Sequence, residues 1–142
     1  MQTLATLSPM ERVIFLRRVP LFARLAPADL KQVAAIAREQ LFADGEVLFR
    51  QGEPGDELFV IVSGDVRVLS GERELARRHA GEFVGDMAII SGEPRAATLV
   101  AAGDVRTLSI DRQQFEGLLR ERPETGLAVM RVLAQRLREL SA

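Results

Sequence analysis

Cysteine is absent from this 142-residue chain, so neither a disulfide framework nor a thiolate metal site is available. The one histidine, His79, follows Arg77-Arg78 in a charged stretch and reads as solvated. A zinc site typically needs three or four ligands, so no metal is expected. Net charge of one sign is also missing. The 19 Lys and Arg residues against 20 Asp and Glu leave a formal charge of -1. That gives no overall basic field to collect nucleic acid, whereas DNA-holding domains are more often clearly basic. Long apolar runs are missing too, since a membrane crossing needs about 20 residues and the longest run here is a few. Met1 to Pro9 lacks the basic start and apolar stretch of a signal peptide. These absences predict a cytoplasmic chain without membrane insertion, and they leave open that it is one piece of a longer protein.

Catalytic equipment is equally thin. Ser63, Ser91 and Thr98 have no histidine partner in view. The glycine turns are not followed by the Gly-Lys-Ser/Thr of a phosphate-binding loop. No enzyme is expected.

What the chain does have is a 47% hydrophobic fraction and a length that suits one domain. Its pattern changes twice, giving an N-terminal helical segment over 1–38, a β-region over 39–111 and C-terminal helices over 112–142. In the first segment Ser8-Pro9-Met10-Glu11 is a capping box with proline at the first helical position. Val13, Ile14, Phe15 and Leu16 give a short apolar face, and Leu21-Phe22 form an apolar plug after Pro20. Pro27 starts a second helix with Leu30, Val33, Ala34 and Ile36 on one side.

In the middle segment Val47, Phe49, Leu58 to Val62, Val66, Val68, Val105, Leu108 and Ile110 read as strands. Turn signals separate them at Asp44-Gly45, Gln51-Gly52, Pro54-Gly55, Ser63-Gly64, Ser70-Gly71 and Ala80-Gly81. About eight strands are expected, with an exposed charged hairpin between Gly71 and His79. In the last segment Asp111 can cap a helix bearing Phe115, Leu118 and Leu119. Pro123 opens a longer helix to about Leu140, on which Met130, Leu133, Leu137 and Leu140 form one seam. The seam suits a lid, a dimer helix or plain core packing. The whole is a mainly β fold, a β-roll or double-stranded jelly-roll flanked by N-terminal helices and a C-terminal helix pair.

The informative stretch is Gly81 to Leu99. It reads as a strand, a glycine turn, a very short helix and an arginine entering another strand. Gly85 lets backbone approach a ligand closely. Arg95 offers a planar cationic fork suited to a phosphate, and small Ala96 and Ala97 leave room beside it. An ionised Asp86 only accepts hydrogen bonds, which suits a sugar hydroxyl.

This segment, 83–99, resembles the phosphate-binding cassette of the cyclic-nucleotide-binding domain family. That family includes the regulatory subunits of cyclic-AMP-dependent kinase, catabolite-activator-type regulators and cyclic-nucleotide-gated channels. Its pattern is glycine, glutamate, an apolar residue and alanine, then about seven residues, then arginine, a small residue, alanine and serine or threonine. Gly85-Asp86-Met87-Ala88 and Arg95-Ala96-Ala97-Thr98 fill it at matching spacing. Gln51 to Asp56, Leu58 to Ile61 and Ser63 to Val66 resemble the family's glycine-turned hairpins. The likeness covers about residues 20–140.

The resemblance implies a cyclic-nucleotide sensor rather than an enzyme. It assigns Arg95 and backbone N–H groups around Ala88 and Ala97 to the cyclic phosphate. Gly85 and Asp86 fall to the ribose 2′-hydroxyl. Ala96 has no hydroxyl for guanine, which favours cyclic AMP over cyclic GMP. A side chain of the last helix, among Arg131, Val132 and Arg138, would cover the base. One departure stands out: Asp86 replaces the usual glutamate and is one methylene shorter. The alternative is therefore a non-binding homodimerisation or interaction module with a degenerate pocket. A transcription regulator would need a recognition helix from a longer parent. Homodimerisation and fusion to an effector both remain open.

Overall fold

The computed structural model describes residues 6–141, with side chains as far as Glu139. The described chain forms two compact units, Ala37–Arg112 and a helical unit made from the segments that flank it.

The middle unit is an antiparallel sheet of β1 (Arg38–Phe42), β2 (Val47–Phe49), β3 (Glu57–Ser70), β4 (Arg73–Arg78), β5 (Phe83–Val84) and β6 (Thr98–Asp111), with a six-residue helix, α3 (Asp86–Ser91), between the last two. The order is β1-β6-β3-β4, with β2 added to β6 and β5 to β3. Six strands replace the expected eight or so because β3 and β6 run 14 residues each. Ser63-Gly64 is no turn. It is a bulge, where the pairing to β6 slips between Ile61 and Asp65. Gly64 has φ +92°, and a Cβ there would overlap the Asp104 carbonyl. Only glycine bends the strand here without breaking it.

The roll core packs Phe59, Ile61, Val66, Val84, Leu99, Ala101 and Val105, with Phe42, Leu48, Phe49 and Val68 against it. Phe59 is its centre, edge-on to Phe42 at 6.0 Å and stacked with Phe49 at 6.1 Å. The 71–79 stretch forms the expected exposed hairpin. Glu74 accepts from Arg67 at 2.7 Å and from Arg77 at 3.1 Å, and His79 meets Asp65 at 2.7 Å.

The helical unit holds α1 (Pro9–Arg17), α2 (Pro27–Ile36), α4 (Arg112–Glu121) and α5 (Pro123–Ser141), the first residue of α4 still belonging to the roll. The capping box at Ser8 forms as read, with Ser8 and Glu11 satisfying each other's backbone N–H. Val19, Leu21, Phe22 and Leu25 are buried through a run of tight turns between α1 and α2. Arg12 donates to the Ala34 carbonyl, tying those two helices. Arg122 grips the Asp29 carboxylate through its Nε and Nη2, at 2.6 and 2.7 Å.

On α5 the buried positions are Thr125 and Val129. Of the expected seam, Met130 and Leu137 face outward, 58% and 65% exposed, and Leu133 is half-buried. Met130 and Leu137 are therefore not core positions of this unit, and the Leu140 side chain lies outside the described residues. No described helix is long and apolar enough to cross a membrane.

Candidate functional site

The cassette folds as a strand, a glycine turn, a short helix and a strand. β5 ends at Val84, and Gly85 caps α3 in a left-handed conformation, φ +86°. Its lack of a side chain has two consequences. The backbone can turn there, and a Cβ would lie 2.8 Å from the Arg95 Nη1. A glycine cap also offers no side-chain acceptor to the first N–H groups of α3. Gly92, φ +74°, ends the helix three residues before Arg95.

Arg95 is buried, 5% exposed. Its Nη1 donates to the Gly85 carbonyl at 2.9 Å and its Nη2 to the Glu57 carbonyl at 2.7 Å. The guanidinium lies over the Phe49 ring, 3.9 Å from its centroid. Its Nε has no hydrogen-bond partner among the described residues. Burial pulls the Arg95 pKa below its ordinary value, while Glu57, Asp56 and Glu53 pull it back up. An arginine stays charged through such a shift. The result is a fixed cation in low dielectric, with three of its five donors uncommitted.

The second motif converges on the same residue. The Gly52 N–H donates to the Arg95 carbonyl at 2.9 Å, and the Arg95 N–H to the Glu53 carbonyl at 2.8 Å. This reciprocal pair clamps the 50–56 loop to the cassette. The Gln51 N–H bonds the Thr98 hydroxyl at 2.9 Å just beyond. Arg112 holds the loop from its other side, donating to the Gly55 carbonyl from its side chain and to the Asp56 carbonyl from its backbone.

Gly55 departs from its reading as a turn-maker. It is buried with no positive φ, and a Cβ would overlap that of Ala88 and lie 3.0 Å from the Arg95 Cζ and Nε. It is glycine because three pieces of chain meet there. Gly55, Phe49 and the Glu57 carbonyl are thus site components the sequence reading left unassigned. The Pro54-Gly55 pair was visible, but a turn and a close approach look alike in sequence.

Of the singled-out residues, Gly85 and Ala88 lie against Arg95 or its loop, and Asp86 is 1% exposed at the first position of α3. Met87 is 53% exposed and points away from the core, while Ala96 is exposed and Ala97 half-buried. No side chain beyond a methyl stands beside Arg95 on its C-terminal side. Among the described residues no group of three His, Asp or Glu side chains is placed to hold a metal ion.

Residues 39–122 match the family model described as the cyclic nucleotide-binding domain. The chain is 43% identical over 107 residues to a cyclic nucleotide-gated potassium channel of Mesorhizobium japonicum, covering 75% of this chain and 29% of that one. It is 30% identical over 105 residues to a cAMP-dependent protein kinase regulatory subunit of Hypocrea atroviridis, covering 74% and 23%. The crystal structure of Thermus thermophilus catabolite activator protein superposes with a TM-score of 0.76 at 32% identity, covering 86% of this chain and 60% of that one. The chain thus spans a third or less of the length of the two curated relatives described.

Proposed function

The chain belongs to the cyclic nucleotide-binding domain family, and on that premise we propose that it is a regulatory domain that binds cyclic AMP. The observation that carries this reading is the buried Arg95 guanidinium. It is pinned by two carbonyls, yet its Nε lacks a partner among the described residues. A buried donor left without an acceptor costs about 1–3 kcal/mol, more when charged. A phosphate oxygen repays that cost and neutralises the cation. The residues present fit the group: Gly55 and Gly85 let the loop and the cassette backbone close on Arg95, and only methyl side chains, Ala96 and Ala97, follow it.

In this assignment Arg95 and the N–H groups around Ala88 and Ala97 hold the cyclic phosphate. Gly85 and Asp86 serve the ribose. Ala96, without a hydroxyl, offers nothing to guanine and favours cyclic AMP over cyclic GMP. The protein's contribution is binding and a shift in conformational equilibrium, with no chemical step. The output runs through the C-terminal helix, α5, by whatever difference in affinity the nucleotide has for its two states. Its setting is the cytoplasm.

Calorimetric titration of the chain with each nucleotide tests the reading. Cyclic AMP binding at micromolar concentration or tighter, weaker for cyclic GMP and lost in Arg95→Ala, is expected. No heat with either ligand at millimolar concentration, with folded protein, favours the interaction-module reading, for which the shortened Asp86 is the motivating feature.

A further inference from the structure

The formal charge of -1 conceals a division. The roll unit, Ala37–Arg112, has nine arginines against fourteen acidic residues, a charge of −5. The flanking segments that build the helical unit carry ten basic residues against six acidic, a charge of +4. Three of those ten basic residues line one concavity of that unit. A groove of about 480 Å³ has Arg18, Arg24 and Arg131 on its walls and Pro20, Ala128 and Val132 among its apolar lining. No acidic residue lines it. Arg18 is the C-cap of α1, Arg24 lies in the turns that follow, and Arg131 projects from α5. All three are exposed, and none makes a side-chain hydrogen bond or ion pair among the described residues. Arg12 and Arg122 of the same unit, by contrast, are partnered.

We propose that this groove docks an acidic peptide segment with leucine-type anchors, supplied by a partner protein. Arginine forks match carboxylates two donors at a time. One exposed ion pair is worth little, so the three must act together and with the water excluded. The apolar lining supplies that exclusion when a leucine side chain seats on it. A small anion in so open a place would be screened by salt and would leave the lining unused. A nucleic acid backbone needs a basic stripe along its phosphates and gains nothing from an apolar floor. A peptide bearing both carboxylates and leucines satisfies every lining group at once. The proposal uses none of the cassette residues; it shares only Arg131 and Val132 with the candidates for covering the base, whereas Arg18 and Arg24 belong to the groove alone.

The experiment is fluorescence anisotropy of the full chain with a labelled synthetic peptide of alternating glutamate and leucine pairs. Competitors are an all-glutamate peptide and a short DNA duplex. Binding that weakens with salt is expected, with Arg18→Glu/Arg131→Glu reducing affinity by about tenfold or more. Arg38→Glu/Arg73→Glu, the same charge change on the roll, should alter it by less than about twofold. Thermal melts verify that both pairs fold, and Arg24→Glu provides a second, single reversal in the groove. Equal weakening by the groove and roll pairs would overturn the proposal, since the chain would then act only as a diffuse field. Equal or tighter binding of the all-glutamate peptide or the duplex would overturn it as well.

Discussion

Arg95 of the roll and the groove arginines of the helical unit all hold a positive charge, under opposite conditions. Arg95 is buried, fixed by two carbonyls and stacked on a ring. Arg18, Arg24 and Arg131 stand in solvent with no partner among the described residues. A buried cation is held in one orientation by its neighbours, so the donors it leaves open can be specific, and removing it disturbs everything that was arranged around it. Exposed cations act as a group, each contributing little, and salt tunes them. The roll is therefore where single atoms should matter, and the helical unit is where only sums and well-made pairs should.

The largest effect expected from this contrast is at Arg95 itself. Arg95→Ala should weaken cyclic AMP binding by about 2–5 kcal/mol, roughly thirtyfold to several thousandfold. It should also lower the melting temperature without ligand, because the Gly85 and Glu57 carbonyls and the Phe49 face lose their partner. Arg95→Lys keeps the charge but not the fork, and should recover little of the affinity. Full recovery by lysine would break the comparison, making Arg95 a mere point charge like those of the helices.

Gly55→Val comes next. Its side chain would have to displace Ala88 or the Arg95 guanidinium. Overpacking of this kind costs about 1–3 kcal/mol. Denaturant titration should show that loss, and calorimetry a further loss of nucleotide affinity. A variant of unchanged stability would mean that the loop yields, and that the roll is no more exacting than the groove.

Much of this was legible because its signals are local. The Ser8–Glu11 box, the prolines opening α2 and α5, and the run from Gly85 to Thr98 each lie within a few turns of chain, and each formed as read. What was not legible depends on partners distant in sequence. Nothing near Gly55 announces that Ala88 and Arg95 will arrive beside it. Nothing around Ser63-Gly64 distinguishes a bulge from a turn until the register with β6 is known. The α5 seam has the spacing of a packed face, yet Thr125 and Val129 take the interior. The charge division was present in the letters all along. It appears only when the sum is split at residues 36/37 and 112/113, boundaries that the structure supplies.

Asp86→Glu sharpens the comparison from the other side. The family pattern has glutamate here, and the missing methylene leaves the ribose contact shorter in reach. Restoring it should tighten cyclic AMP binding roughly ten- to a hundredfold if the carboxylate meets the sugar directly, one charged hydrogen bond being worth about 1.5–3 kcal/mol. The slot is closed, however, with Asp86 only 1% exposed. If the variant instead lowers the melting temperature and leaves affinity unchanged, the aspartate is fitted to that slot and its job is at the helix N-terminus.

The smallest effect belongs to the helical unit and concerns its one bidentate pair among the described residues. The hydrogen bonds from Arg122 hold the Asp29 carboxyl below its ordinary value, with a smaller contribution from the charge attraction. A carboxyl with a lowered folded pKa stabilises the fold above its unfolded value of about 3.9 and loses that contribution as the pH falls through the folded one. The same holds for Glu74, lowered first by Arg67 and then by Arg77. The two differ in what they join. Glu74 ties a hairpin to itself, whereas Asp29 and Arg122 are 93 residues apart. Denaturation midpoints measured at neutral pH and near pH 3 should therefore separate them. Arg122→Gln should cost more stability at neutral pH than Arg67→Gln and should flatten more of the acid slope. Equal slopes in the two variants would show that a long-range pair in solvent contributes no more than a local one. The helical unit would then draw no more from this long-range pair than the roll draws from its hairpin.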